Sequence, residues 1–326
     1  MEIQVPLVIF TLLLCLSNGL MGFQGYLMLK GQGSNRFHRI SVIAAAIVLV
    51  VGGIAVFTHL QHWERIFNGF GHITSGITHE LILVVVMVVA LVAAFLCLRK
   101  NAGAGGNGAE EAGEDGESGE AGKVLEAKTF PGKAFGIAFI VIAIIGGFVT
   151  AHSYDMYARP AWNNIFLYLY YYSSELILGA AGIWTIAAVL KEPNEINAMF
   201  GKFTAIFSIV SAVVCIAGMF YIANIQPETI DGITFYTYDP THAAADPASD
   251  LAAGIGGSAA VIFWLGAVVV GCVVPAIAAV IALKKEDLAK QAAVLSTVSV
   301  VAALIGGVCY RVVLYVVGIA SYVYFF

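Results

Sequence analysis

Charge is what this sequence has least of. Only 11% of its 326 residues are Asp, Glu, Lys or Arg, against 60% hydrophobic, and mean hydropathy is +0.89. A water-soluble domain carries roughly a quarter charged residues, so a soluble enzyme is excluded and no nucleic-acid partner is expected. The apolar runs also lack polar alternation, which removes a transmembrane β-barrel. Cysteine is sparse: Cys15, Cys97, Cys215, Cys272 and Cys309 each lie singly inside an apolar run. No pair has ligand spacing, so neither an iron–sulfur cluster nor a structural zinc is encoded. The opening stretch has no basic n-region, and its apolar run is longer than the core of a signal peptide. It reads as a first span. No internal repeat is visible.

What remains is a series of long uncharged stretches, each able to cross about 30 Å of hydrocarbon as a helix. The sequence predicts an all-α integral membrane protein with eight spans, at about 5–29, 40–59, 79–98, 134–152, 164–190, 203–223, 254–283 and 292–317. Pro6 suits a first helical turn, and Pro275 should kink the seventh span. The chain reads as one membrane domain over 1–326, interrupted at about 101–132 by a Gly- and Glu-rich linker with almost nothing to bury.

The odd-numbered connections hold 13 of the 16 basic residues. By the positive-inside tendency they face the cytoplasm, which puts both termini on the outer side of a prokaryotic cytoplasmic membrane. The sixth connection, about 224–250, is acidic, lacks Lys and Arg, and is long enough to receive another protein.

The stretch "FTHLQHWERIFNGFGHITSGITHE", residues 57–80, holds four of the seven histidines. His59 ends the second span and Glu80 opens the third, so both fall at one membrane boundary. A quinol that loses two electrons must also lose two protons, and an imidazole with a carboxylate suits their removal. Polar helix ends are also common at wet boundaries, and position alone does not choose between the two readings. His62 falls on the same helical face as His59 if that helix continues; His72 and His79 read as loop and helix-end residues. Trp63, Phe67 and Phe70 fit either an apolar ring site or an interfacial belt.

Glu175, in "YYYSSELILG", and Arg311, in "GGVCYRVVLYVVG", lie within spans, where an ionisable group is a functional hypothesis, and a structural ion pair or a protonated Glu175 hydrogen-bonded between helices reads equally well. Both fall in the outer half of the bilayer and are close enough in depth to form an ion pair. Tyr168, Tyr170, Tyr171 and Tyr172 read as a belt. A haem alternative would need His59 and His152 as axial ligands, and a transporter alternative would use Glu175 and Arg311 at a midplane site.

"VPLVIFTLLL", "THLQHWERIFNGFGHITSGITHELIL", "SYDMYARPAW" and "GGVCYRVVLYVVGI" occur in this order along nearly the whole chain. In these pieces the sequence resembles the membrane anchor subunit of dimethyl sulfoxide reductase, within the wider polysulfide- and nitrite-reductase-type quinol-oxidising anchors. Glu80 stands one place nearer His59 than in the family segment, and the acidic linker is an insertion. The resemblance implies a quinol-oxidising subunit of an anaerobic respiratory reductase that does not itself reduce the terminal acceptor. It implies a bound menaquinol and no haem or iron–sulfur cluster in this chain. It also implies two partners on the outer face, an iron–sulfur subunit and a molybdopterin catalytic subunit. His59 and Glu80 would carry the proton chemistry, with Arg65 and Arg311 at the quinol site. Glu175 has no counterpart in the pattern and stays an intramembrane proton or ion-pair candidate.

Overall fold

A computed structural model describes residues 3–58, 68, 70–72, 74–104, 132–157, 159–225, 228–230, 233–235, 251–284 and 288–318. Among them, eight helices are long and apolar enough to cross a membrane. They are α1 (Val5–Lys30), α2 (Asn35–Phe57), α3 (Gly76–Ala104), α4 (Gly132–His152), α5 (Ile165–Val189), α6 (Asn194–Ala223), α7 (Ile262–Lys284) and α8 (Leu288–Val317). The all-α expectation needs one amendment. Two short antiparallel strands, β1 (Glu228–Ile230) and β2 (Ile233–Phe235), pair Glu228 with Phe235 in the sixth connection.

The helices start and stop for local reasons. Pro6 sits in the first turn of α1, where its missing N–H costs nothing. Gly31 ends that helix in the left-handed region (φ 63°), and its N–H reaches the Leu27 and Met28 carbonyls. Ser34 then caps α2 by accepting from the Phe37 N–H at 3.1 Å. This cap starts α2 several residues before the expected 40, because hydropathy registers the part of a helix in lipid and not its polar ends. For the same reason α6 begins at Asn194 and α3 runs on to Ala104. In α7 the kink expected at Pro275 takes another form. Ile262–Val273 is wound as a π-helix and returns to α-helix at Val274, one residue before the proline interrupts the i−4 ladder.

α1 and α5 form the centre. The α1–α5, α1–α4 and α7–α8 contacts depend on small residues that let backbones meet. A Cβ on Gly19 would lie 2.7 Å from the Gly179 Cα, one on Gly25 would lie 2.6 Å from the Gly136 carbonyl, and one on Gly271 would lie 2.6 Å from the Gly306 Cα. α2, α3, α6 and α8 instead turn apolar stripes outward, such as Ile47, Val50 and Ile54 or Val85, Val89, Val92 and Leu96. Stripes of this length suit lipid and not water.

Contacts between connections sort the two ends of the bundle. At one end the Ser34 N–H donates to the Glu192 carboxylate at 3.2 Å, and the Asn35 amide donates to the Leu98 carbonyl at 3.4 Å. Lys30, Arg36 and Arg39 belong to this end. At the other end the Ser153 hydroxyl donates to the Gly76 carbonyl at 3.0 Å, and the Trp162 indole donates to the Leu314 carbonyl at 2.9 Å. The first turns of α1 and the last turns of α8 lie here too, since Leu7, Val8, Leu314 and Tyr315 line one cavity.

Candidate functional site

Arg311 organises the second end. It is 2% exposed, and each of its hydrogen-bond partners is neutral. Its Nε donates to the Thr11 hydroxyl at 3.0 Å. Nη1 donates to the Tyr170 hydroxyl at 2.6 Å and the Gly307 carbonyl at 3.2 Å. Nη2 makes only longer contacts, to the Thr11 carbonyl at 3.4 Å and the Cys15 Sγ at 3.3 Å. The rings of Tyr170 and Tyr171 flank the guanidinium at 5.2 and 5.3 Å, a geometry in which aromatic faces attract the cation. The expected ion pair with Glu175 does not form. The guanidinium turns toward α1 and α5 hydroxyls and carbonyls, while the Glu175 carboxyl lies against Gly147 of α4.

Thr11, Tyr154, Trp162, Tyr171, Arg311 and Tyr315 line a narrow cleft with about 20 Å³ of free space, room for about one water as it stands. Its aromatic wall is ordered. Tyr154 stacks on Tyr171 at 6.0 Å, Trp162 meets Tyr315 edge-on at 5.4 Å, and Arg159 covers Trp162 at 4.9 Å. Arg159 also donates to the Gly318 carbonyl, which ties the fourth connection to the end of α8.

Glu80 stands behind this wall, in the second turn of α3 and 8% exposed. Its carboxyl lies beside the Ser153 hydroxyl, and its Oε1 has no hydrogen-bond partner. Burial, and next the nearby Glu80 carboxyl, push the Tyr154 phenol well above its ordinary value, and the Arg311 charge pulls the other way. Glu80 and Arg311 therefore each lie within electrostatic reach of Tyr154, although Glu80 does not line the cleft. The cluster brings together aromatic faces, a guanidinium donor and, behind Tyr154, a buried carboxyl.

The two sequence candidates Glu80 and Arg311 thus converge. His59 and Arg65 lie outside the described residues, as do His62, Trp63 and Phe67. His72 and Phe70 lie exposed in the second connection. His79 stacks on His152 at 6.1 Å, and the His152 Nδ1 is 3.2 Å from the Tyr168 hydroxyl, which donates to Asp155 at 2.7 Å. Tyr170 and Tyr171 are not a belt: they are 2% and 3% exposed and hold Arg311. Thr11, Cys15, Tyr154, Trp162 and Tyr315 were not candidates at all. Their pattern is tertiary, since one hydroxyl on α1 and one ring on α8 carry no shared spacing. Among the described residues no group of three or more His, Cys, Asp or Glu side chains could hold a metal.

A second small cavity of about 20 Å³ lies beyond Tyr170 and Gly307, where the thiols of Cys215 and Cys272 meet beside Ser211 and Tyr310.

A family model described as "DMSO reductase anchor subunit (DmsC)" matches residues 123–238. No curated protein matches the sequence. The chain is thus similar to the anchor subunit of DMSO reductase over α4, α5, α6 and the connections between them, a region that includes Tyr154, Trp162, Tyr170, Tyr171 and Glu175.

Proposed function

We propose that this chain is the membrane anchor of a DMSO reductase-like molybdenum oxidoreductase complex and oxidises menaquinol at the Arg311 cleft. The observation that carries the reading is one guanidinium, walled by aromatic rings, with a buried carboxyl behind it. Support also comes from the family match, which names an anchor subunit.

The chemistry follows from those groups. A quinol becomes a quinone by losing two electrons and two protons. Arg311 stays protonated in any protein environment, so it serves as a fixed donor to a quinol oxygen and holds the ring in register. Its Nη2, committed only to long contacts, is the donor free to turn. Tyr154, Tyr171 and Trp162 bind the ring face and keep the cleft apolar. Glu80 takes one proton, and His59 takes the other or receives it from Glu80. Electrons pass to an iron–sulfur subunit docked on the even-numbered connections and then to a molybdopterin subunit. The sparse basic residues of those connections support reading this end of the bundle as the outer one.

Glu80→Gln tests the reading. It keeps the shape and removes the proton acceptor, so quinol oxidation should slow by about 10²-fold, the usual contribution of a positioned base, with the complex still assembled. Unchanged turnover in an assembled complex removes Glu80 from the mechanism. Purification in mild detergent, with iron and molybdenum analysis of what comes with the chain, tests the partners separately.

A further inference from the structure

Arg311 meets protein at every donor, but Glu175 does not. Its carboxyl is 6% exposed, and Oε2 has no hydrogen-bond partner. It abuts Gly147 of α4, where an added Cβ would come 2.9 Å from Oε2. The neighbouring glycine, Gly146, faces the Asn18 amide of α1. Asn18 is 0% exposed, and neither its Nδ2 nor its Oδ1 has a partner. Two consecutive glycines thus make room for an amide and a carboxyl whose Nδ2, Oδ1 and Oε2 no protein atom satisfies. Groups so buried cost about 1–3 kcal/mol each when unpaired, and ordered water is the usual partner.

A second set of unpaired groups lies on another side of α1, along its seam with α2. The Ser17 hydroxyl donates to the Ala45 carbonyl at 3.0 Å, and the Gln24 amide donates to the His38 carbonyl at 2.9 Å. Between those two rungs lies Ser41, fully buried, with a hydroxyl that has no partner. The Gln24 Oε1 and the His38 Nδ1 have none either. His38 Nε2 lies 3.0 Å from the Gln32 carbonyl, at the end of the bundle that carries Lys30, Arg36 and Arg39. Asn18 and Gln24 are six residues apart on α1, about 9 Å of helix rise and about 120° around the helix, so a route between them must pass around α1 by way of Ser17 and the α2 seam.

We propose that Asn18 and Glu175 enclose an occluded water site, and that Ser41, Gln24 and His38 extend it as a proton-exchange route to the Lys30 end of the bundle. Glu175 gives its proton to a water and takes another back; no electron moves and no bond to carbon changes. The other groups facing Glu175 do not complete a route to the cleft. Tyr172 donates to the Ile144 carbonyl at 2.7 Å, and the Cys15 thiol lies between Ser174 and Arg311. The site is separate from the quinol cleft, and the proposal stands whether or not a quinol binds there.

The test is infrared spectroscopy of the purified full-length protein, with whatever subunits accompany it, transferred from H2O to D2O. The expected result is a protonated-carboxyl stretch that is absent from Glu175→Gln and that shifts on transfer. Ser41→Ala and Gln24→Leu should each slow the shift by about tenfold, the equivalent of one net hydrogen bond lost from a chain. Ser41→Ala removes only a hydroxyl, so it reports even if Gln24→Leu fails to fold. A spectrum in which Glu175→Gln removes no such band overturns the proposal. So does a band that never shifts, or one that shifts at the same rate in Ser41→Ala.

Discussion

Arg311 and Glu175 are both ionisable, both buried, and both set on apolar helices, yet they are housed in opposite ways. Arg311 fills its surroundings: hydroxyl, carbonyl and thiol partners on α1, α5 and α8 meet its donors, and two tyrosine rings face its charge. Glu175 has room instead of partners, because α4 presents Gly146 and Gly147 where side chains would stand. A satisfied buried charge fixes geometry and orients what binds beside it. An unsatisfied one invites water and exchange. The difference separates a binding role from a proton-handling one.

The largest way to break this comparison is Gly19→Leu. A Cβ there runs into the Glu175 carbonyl and the Gly179 backbone, neither of which can turn aside as a side chain would. Separation of α1 from α5 should cost about 3 kcal/mol, at the upper end for overpacking, and should appear as loss of folded protein in membranes. An equal yield and thermal midpoint would mean that the α1–α5 contact is looser than described.

Next comes Arg311→Met, which keeps much of the volume and removes every donor. Binding of a quinol analogue should weaken by about 10²-fold, the scale of a hydrogen bond to a charged group. Part of the folding cost is returned, because a charge no longer has to leave water. Retained affinity would move the quinol site away from the cleft.

How much of this was legible in the sequence follows from the same residues. Eight spans and their alternation can be read because lipid imposes length and composition on each helix independently. Glu80, Glu175 and Arg311 stand out because a charge within a span is rare. Asn18 and Ser41 do not, since single polar residues in an apolar run look alike whether satisfied or orphaned. Nor can a pairing such as Arg311 with Thr11 be read from one chain, because 300 residues separate them. Tyr170 and Tyr171 depart from the belt expectation for a related reason. Amphipathic rings suit a membrane interface and a buried cation equally well, and only packing decides.

Trp162→Phe is a smaller probe of the cleft. It removes the 2.9 Å bond to the Leu314 carbonyl but keeps the ring face against Tyr315. Stability should fall by about 1 kcal/mol, one net hydrogen bond, while quinol-analogue affinity changes less than in Arg311→Met. If affinity fell as far as in Arg311→Met, the aromatic wall and not the guanidinium would set binding.

Smallest of all should be the effect of Glu175→Gln on stability. The carboxyl oxygen that lacks a partner gives up nothing when it becomes an amide, and glutamine keeps the volume beside Gly147. A change within about 0.5 kcal/mol is expected, the range of substitutions that remove no defined interaction. That near-neutrality is what distinguishes this group from Arg311, whose replacement removes its bonds to Thr11, Tyr170 and Gly307, although the Tyr170 hydroxyl still donates to the Gly307 carbonyl at 3.2 Å. A loss of several times that size in Glu175→Gln would mean that the carboxyl is held by a strong partner, and Glu175 would then be a structural anchor like Arg311 and not an exchanging one.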